Sequence, residues 1–255
     1  MSGSNTVYIS GASSGIGMAC AKAYAERGCR LVLAARRLER LEKLKADLER
    51  MFTVEVYVAS LDVRDSEAVA AFVGSIPGAL ADIDILVNNA GLSRGLAPIQ
   101  EGELQDWEEM IDTNLKGLLY LTRQILPGMI ARGRGHVVNI GSVAGQQVYP
   151  GGNVYCATKF AVRALTEGLK MDLLGTPVRV TTVDPGMVET EFSLVRYRGD
   201  VERAARTYKG LTPLQPEDIA DAVVYATSRP AHVNISEMIL WPVDQASVYH
   251  THRRL

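Results

Sequence analysis

The sequence predicts an α/β fold in which a parallel sheet is covered by helices on both faces. Three observations carry this. Apolar β-branched runs alternate with helix-period stripes along the whole chain. The strand runs lack a clean polar–apolar alternation, as expected for strands buried on both faces. The first strand runs directly into a glycine-rich turn and then a helix.

The elements follow in order. Val7-Tyr8-Ile9 reads as the first strand. Residues 15–28 read as a helix with Ile16, Ala19, Cys20, Ala23 and Tyr24 on one side. Leu31-Val32-Leu33 is the second strand, and Leu38, Leu41, Leu44 and Leu48 then mark a helix packed on the sheet. Residues 54–58 form the third strand, 66–74 a short helix and 83–87 the fourth strand. A long helix is expected over 104–130, bent near Pro127. The pattern continues with a strand at 136–140, a helix at 153–174, a strand at 178–183, a helix at 216–228 and a last strand at 238–241. No Gly, Ser or Pro linker divides the chain, so one domain over 1–255 is expected. Residues 186–214 show no clear strand, and a segment of that length in a compact domain reads as a lid. A tail follows at 242–255.

Composition narrows the class. The chain has 255 residues, 47% of them hydrophobic. Its 27 basic and 29 acidic residues leave a net charge of -2, which speaks against a nucleic-acid partner. Cys20, Cys29 and Cys156 have no metal-ligand spacing, so neither a disulfide framework nor a metal site is expected. Residues 1–21 carry no charge, but they lack a basic start and are interrupted by Ser10-Gly11-Ala12-Ser13-Ser14-Gly15, unlike a secretory signal. No run of about 20 apolar residues occurs, so no membrane partner is expected. A cytoplasmic enzyme or binding domain fits.

The turn Gly11-Ala-Ser-Ser-Gly15-Ile-Gly17 sits between the first strand and the first helix. Such a turn lets a pyrophosphate reach bare backbone at a helix N-terminus, which points to a dinucleotide. At the end of the second strand, a carboxylate would accept the ribose hydroxyls of NAD. Arg36 and Arg37 stand there instead, and no Asp or Glu occurs between Leu31 and Leu38. Two guanidiniums suit a 2′-phosphate, so NADP(H) is the expected cofactor.

Tyr155 and Lys159 lie four apart on an expected helix and share a face. An ammonium beside a phenol lowers its pKa from about 10 and makes it a usable proton donor and acceptor. Ser142 ends the fifth strand, where open α/β sheets place ligands, and its hydroxyl can hold a carbonyl oxygen. Cys156 adjoins the tyrosine but points about 100° away around the helix.

Gly11-x-x-x-Gly15-x-Gly17, Asn88-Asn89-Ala90-Gly91, Asn114 with Gly117, Ser142, Tyr155-x-x-x-Lys159 and Pro185-Gly186 occur in that order. Together they resemble the short-chain dehydrogenase/reductase family, over essentially the whole chain. The resemblance implies a three-layer Rossmann fold with a seven-stranded parallel sheet. It also implies a nicotinamide cofactor and hydride transfer at a carbonyl carbon. Tyr155 would be the acid/base. Lys159 would lower its pKa and bind the nicotinamide ribose. Ser142 would orient the substrate oxygen, and Asn114 would hold a water linking Lys159 to solvent. Cofactor contacts would come from Gly11, Ser13, Ser14, Gly15, Ile16 and Gly17, and from Arg36 and Arg37. Asp62 and Val63 would face the adenine, with Asn89 and Gly91 at the centre of the sheet. Pro185, Gly186, Val188 and Thr190 would close over the nicotinamide and phosphates. A homotetramer is the family's usual assembly.

Further stretches are similar to NADP-dependent 3-hydroxy acid dehydrogenases, among them Gly151-Gly-Asn-Val-Tyr155, Val195-Arg-Tyr-Arg-Gly-Asp200 and Pro230-Ala-His-Val-Asn-Ile235. That group acts on serine, allo-threonine and 3-hydroxypropionate-type substrates, and close relatives reduce sulfoacetaldehyde. The family's usual Gly-Gly pair after the last strand is replaced by Trp241-Pro-Val-Asp244-Gln. A small anionic substrate needs cationic partners. The candidates are Arg196, Arg198 and Arg163, with His250, His252, Arg253 and Arg254 of the tail, which are able to come from a neighbouring subunit. By position, Gln147, Val148, Tyr149 and Met187 line the pocket. Two other readings stay open: a reductase of neutral ketones, sugars or acyl thioesters, and a catalytically silent dinucleotide sensor.

Overall fold

The computed structural model describes residues 5–254. The domain expected over 1–255 and the tail expected over 242–255 therefore reach outside the described residues. The chain forms one seven-stranded sheet of order β3-β2-β1-β4-β5-β6-β7, with every pair parallel. The strands are β1 (Thr6–Ser10), β2 (Arg30–Ala35), β3 (Val56–Ser60), β4 (Ile83–Asn88), β5 (Gly135–Ile140), β6 (Val178–Pro185) and β7 (Glu237–Leu240). The central strands are buried at nearly every position, which is why their sequences do not alternate.

Helices cover both faces. They are α1 (Gly15–Ala25), α2 (Leu38–Met51), α3 (Ser66–Ser75), α4 (Leu104–Ile111), α5 (Gly117–Ala131), α6 (Asn153–Asp172), α7 (Phe192–Arg196), α8 (Val201–Tyr208) and α9 (Pro216–Thr227). One apolar cluster packs α1, α2 and α9 on one face, through Tyr24, Leu41, Leu48 and Ile219. A second packs α3 and α5 on the other, through Phe72, Leu121 and Met129. The leucine stripe of α2 buries Leu41, Leu44 and Leu48 and turns its charges outward.

Two details depart from the sequence-based expectations, and a third adds to them. The long helix over 104–130 is two helices joined by a π turn at Asp112–Lys116. The helix runs on through Pro127, so the irregularity lies a dozen or so residues earlier than the proline. The third strand begins at Val56 and extends to Ser60. Residues 186–214 hold the two helices α7 and α8, closed at the base by a bridge between Val188 and Leu214. Among the described residues no helix is long and apolar enough to cross a membrane.

The topology positions the site. The chain builds outward from β1 through β2 to β3, then returns to pair β4 with the other edge of β1. The connections leaving β1 and β4 diverge, and a crevice opens at their C-terminal ends.

Candidate active site

A cavity of about 420 Å³ fills this crevice. One wall is the turn after β1, with Gly11, Ser13, Ser14, Gly15 and Ile16. Arg36, Arg37, Asp62 and Val63 line the end beyond β2 and β3, and Asn89 and Gly91 follow directly after β4. Pro185, Gly186, Val188 and Thr190 form the opposite wall, and Ser142, Tyr155 and Lys159 close the inner end. Gly17 and Asn114 support the wall from behind. Gln147, Tyr149, Met187 and Arg196 lie outside this cavity.

The turn is built for close approach. Gly11 has a φ of +66°, and a Cβ on Gly17 would stand 2.5 Å from both Asn89 Nδ2 and the Gly11 carbonyl. Asn89 Nδ2 donates to the carbonyls of Ser10 and Gly11 at 2.9 and 3.2 Å. Ser10 Oγ in turn accepts from the amides of Asn89 and Ala90 at 3.0 Å each. No side chain caps α1, and its first turn carries no acidic residue. Its free amides therefore face the cavity and fit a pyrophosphate.

The two arginines after β2 differ. Arg37 Nη2 donates to Ser14 Oγ at 2.8 Å and to Ser13 Oγ at 3.2 Å, and its Nη1 pairs with Glu191 at 2.8 Å. Arg40, one turn into α2, pairs with the other Glu191 oxygen at 2.7 Å. Arg36 has a side chain 54% exposed and only a loose pair with Glu109 at 3.7 Å, so its guanidinium is open to a ligand. Three guanidiniums at this corner fit a 2′-phosphate. Asp62 is gripped by Arg64 at 2.5 Å, and that hydrogen bond holds its carboxyl below the usual range. Val63 packs against Gly117, where a Cβ would meet its Cγ2 at 2.5 Å.

At the inner end, Tyr155 and Lys159 rise from α6 towards β5. Burial pushes the Tyr155 phenol up, and the Arg196 guanidinium and a hydrogen bond with Ser142 pull it back. Lys159 Nζ donates to the Ile140 carbonyl at 2.9 Å and lies 6.0 Å from the centre of the Tyr155 ring. Burial pushes Lys159 down to about 8, and Asp184 opposes that push. Arg196 is thus the leading cation acting on the phenol. Asn114, on the π turn, holds the Leu92 backbone with both amide atoms at 2.8 Å and donates to Thr158 Oγ1 at 3.1 Å.

The candidate anion partners sort by what they already hold. Arg198 is paired with Asp106 at 2.5 Å, and Arg163 with Glu237 at 3.2 Å. Arg253 donates to the carbonyls of Lys209 and Thr207, and Arg254 pairs with Asp244 at 2.7 Å. His250 Nδ1 is bonded to Ser247 Oγ at 2.8 Å. The tail docks on residues 207–212 of its own chain, and Gln147 and Met187 bond its Val248 amide and Gln245 side chain. Tyr249 also donates to the Val148 carbonyl. Arg196 differs from all of these. Its guanidinium lies 5.8, 5.3 and 5.0 Å from the ring centres of Tyr149, Tyr155 and Phe192. Nη2 donates to Tyr149 Oη at 2.8 Å, and Nε is buried without a hydrogen-bond partner. A second cavity of about 290 Å³ adjoins here and shares Tyr155 with the first.

Sequence reasoning missed Arg40, Glu191 and Asp184. Arg40 carries a weak signal, one helical turn beyond Arg37. Glu191 carries none, because its partners lie about 150 residues away.

Residues 5–198 match the short chain dehydrogenase family. The chain is 49% identical over 241 residues to the NADP-dependent 3-hydroxy acid dehydrogenase YdfG of Salmonella typhi, covering 94% of this chain and 96% of that one. It is 47% identical over 244 residues to sulfoacetaldehyde reductase 2 of Chromohalobacter salexigens, covering 95% and 96%. It superposes on the closed form of serine dehydrogenase complexed with NADP+ with a TM-score of 0.92 and 45% identity, over 98% of this chain and all of that one. With the crevice at the β1–β4 divergence and Ser142, Tyr155 and Lys159 at its inner end, the chain belongs to the short-chain dehydrogenase family.

Proposed function

We propose that this protein is an NADP(H)-dependent oxidoreductase that interconverts a small 3-hydroxy acid, or a 2-hydroxy sulfonate, and its carbonyl form. The observation that carries the anionic substrate is Arg196. Its guanidinium stands 5.3 Å from the Tyr155 ring centre and its Nε is buried without a partner, so an acid held by this group has its carbinol or carbonyl carbon next to the phenol. The names of the 44–49% identical relatives, which include a serine 3-dehydrogenase, support the same class.

Bound in the crevice, NADP(H) would supply or accept the hydride. The chain's own residues do the rest. Arg36, Arg37 and Arg40 hold the 2′-phosphate, and the α1 amides with Ser13, Ser14 and Ile16 hold the pyrophosphate. Ser142 Oγ orients the substrate oxygen. Tyr155 Oη gives that oxygen a proton in reduction and takes one in oxidation. Lys159 holds the ribose and supports the phenol, and Asn114 fixes the wall behind them. Residues 186–214 act as the lid that excludes water, with Met187 and Arg196 turned to the substrate beside Gln147 and Tyr149. Tail residues brace that lid from the same chain. The reading includes one cytoplasmic domain assembled as a homotetramer. Exposed Leu104, Ile111, Leu119, Phe160 and Met171 on α4, α5 and α6 support the assembly.

The test is a panel of serine, 3-hydroxypropionate and sulfoacetaldehyde with NADP(H) and NAD(H), followed by nicotinamide absorbance. Turnover of at least one with NADP(H) is the expected result. Turnover of neutral ketones alone points to the broader reductase class, and no turnover with any partner points to a dinucleotide sensor.

A further inference from the structure

Asp184 is buried at the end of β6, directly before Pro185-Gly186. Its Oδ1 accepts from the Ser142 amide at 3.1 Å and from Thr182 Oγ1 at 2.8 Å. Its Oδ2 is buried and meets no donor, and the Glu237 carboxyl of β7 lies within hydrogen-bonding reach of the Asp184 carboxyl. The neighbouring strand makes room for it: a Cβ on Gly141 would stand 1.7 Å from Oδ1. A bare Gly141 is what lets this carboxyl reach across β5 to the backbone of Ser142.

We propose that Asp184 is a positioning residue of the reaction, whose carboxylate clamps the Ser142 amide and supplies the negative charge that keeps Lys159 protonated. The proposal rests on the oxidoreductase reading of the same site. Two carboxyls in contact at such depth are costly to ionise together, and a nearby cation lowers that cost. The charged groups around it are few. Lys159 and Arg163 come from α6, and Glu237 comes from β7. Tyr155 and Cys156 on α6 and Arg196 on α7 are further titratable groups at this end of the crevice. Arg163 and Gln146 already hold Glu237, at 3.2 and 3.1 Å. Lys159 Nζ bonds the Ile140 carbonyl, two residues before the Ser142 amide that Asp184 holds, and among the described residues it has no ion pair, so its charge acts on Asp184 through space.

The electrostatics agree in sign. Burial pushes Asp184 up to about 6, with Glu237 adding to the push and Lys159 opposing it. Burial pushes Lys159 down to about 8, and Asp184 is the group that opposes it. Between those two midpoints, a range that includes neutral pH, the Asp184–Glu237 pair carries negative charge and Lys159 keeps its proton. Within that window Ser142 is held by a charged acceptor and Lys159 keeps its positive charge beside the ribose and phenol sites.

The test uses NMR on the full-length protein without substrate or cofactor. Carbon-13 lysine labelling follows the seven lysines, with Lys159 assigned through Lys159→Gln. Nitrogen-15 labelling follows the Ser142 amide. Asp184→Asn keeps an oxygen for Ser142 and Thr182 but removes the charge. The Lys159 midpoint is expected to fall by about one pH unit or more in this variant. In the unmodified protein the Ser142 amide is expected to titrate with a midpoint near that of Asp184, about 6, and this response is lost in Asp184→Asn. Asp184→Ser serves as a second charge-removing variant should the first be unstable. A Lys159 midpoint that ignores both variants, or a Ser142 amide indifferent to pH through this range, overturns the proposal. Neither readout needs turnover, so an inactive enzyme counts against the proposed function and leaves this test standing.

Discussion

The Arg196 guanidinium lies 5.3 Å from the centre of the Tyr155 ring and is the strongest charge opposing the rise of its phenol. On the proposed reading, one side chain thus faces both the place of the substrate's anion and the group that moves the proton. Arg196→Gln is expected to raise the Tyr155 midpoint, because a cation that favours the phenolate is gone. Reduction needs the protonated phenol, so its rate with a neutral carbonyl substrate then persists to higher pH. Oxidation needs the phenolate and begins at higher pH. A pair of pH–rate profiles checks both directions.

Cofactor choice is expected to follow Arg36 and Arg37. Arg37→Ala removes the guanidinium that organises Ser13 and Ser14, and Arg36→Asp adds repulsion at the same corner. Each is expected to weaken NADPH binding by about tenfold or more and NADH binding far less. Titration of the two cofactors against each variant gives the ratio. Glu191→Gln cuts the tie from the lid to Arg37 and Arg40, and faster release of both cofactors is expected in a displacement experiment.

Tyr155→Phe keeps the ring against Phe192 and Arg196 but removes the transferable proton. Turnover is expected to fall by about 10²-fold or more while NADPH still binds. Near-normal turnover would assign the proton to another group.

Stability should carry the sign of the buried carboxyl. Asp184 has a raised midpoint in the folded protein, so its fold favours the neutral form. Its contribution is present at low pH and is lost as pH rises from the unfolded carboxyl range through about 6. Asp184→Asn is therefore expected to raise the melting temperature more at pH 8 than at pH 5. Calorimetry at the two pH values reads the difference, and an equal shift at both would mean that the carboxyl's ionisation carries no cost.

Much of this was legible from the chain. The seven strands announce themselves because β-branched runs buried on both faces have no other stable place. The glycine turn, the paired arginines and the Tyr155–Lys159 spacing are local patterns, and local patterns survive in a sequence. What stayed hidden depends on distant pairings. Arg196, Arg198, Arg253 and Arg254 are alike as letters, and only their partners separate the one with a free buried nitrogen from those tied to Asp106, Asp244 or a carbonyl. The π turn at Asp112–Lys116 leaves the helical stripe unbroken, so no residue type marks it. Asp184 reads as an ordinary strand-end acid until Gly141 and Ser142 are seen beside it.

The most direct measurement is the ratio of kcat/KM for a small anionic carbonyl substrate to that for a neutral analogue of equal size, in the unmodified protein and in Arg196→Ala. A lost charge-assisted contact is expected to lower that ratio by about 10- to 100-fold, with the neutral analogue little affected. A ratio unchanged by the substitution would contradict the account, and would mean that Arg196 does not hold the substrate's anion.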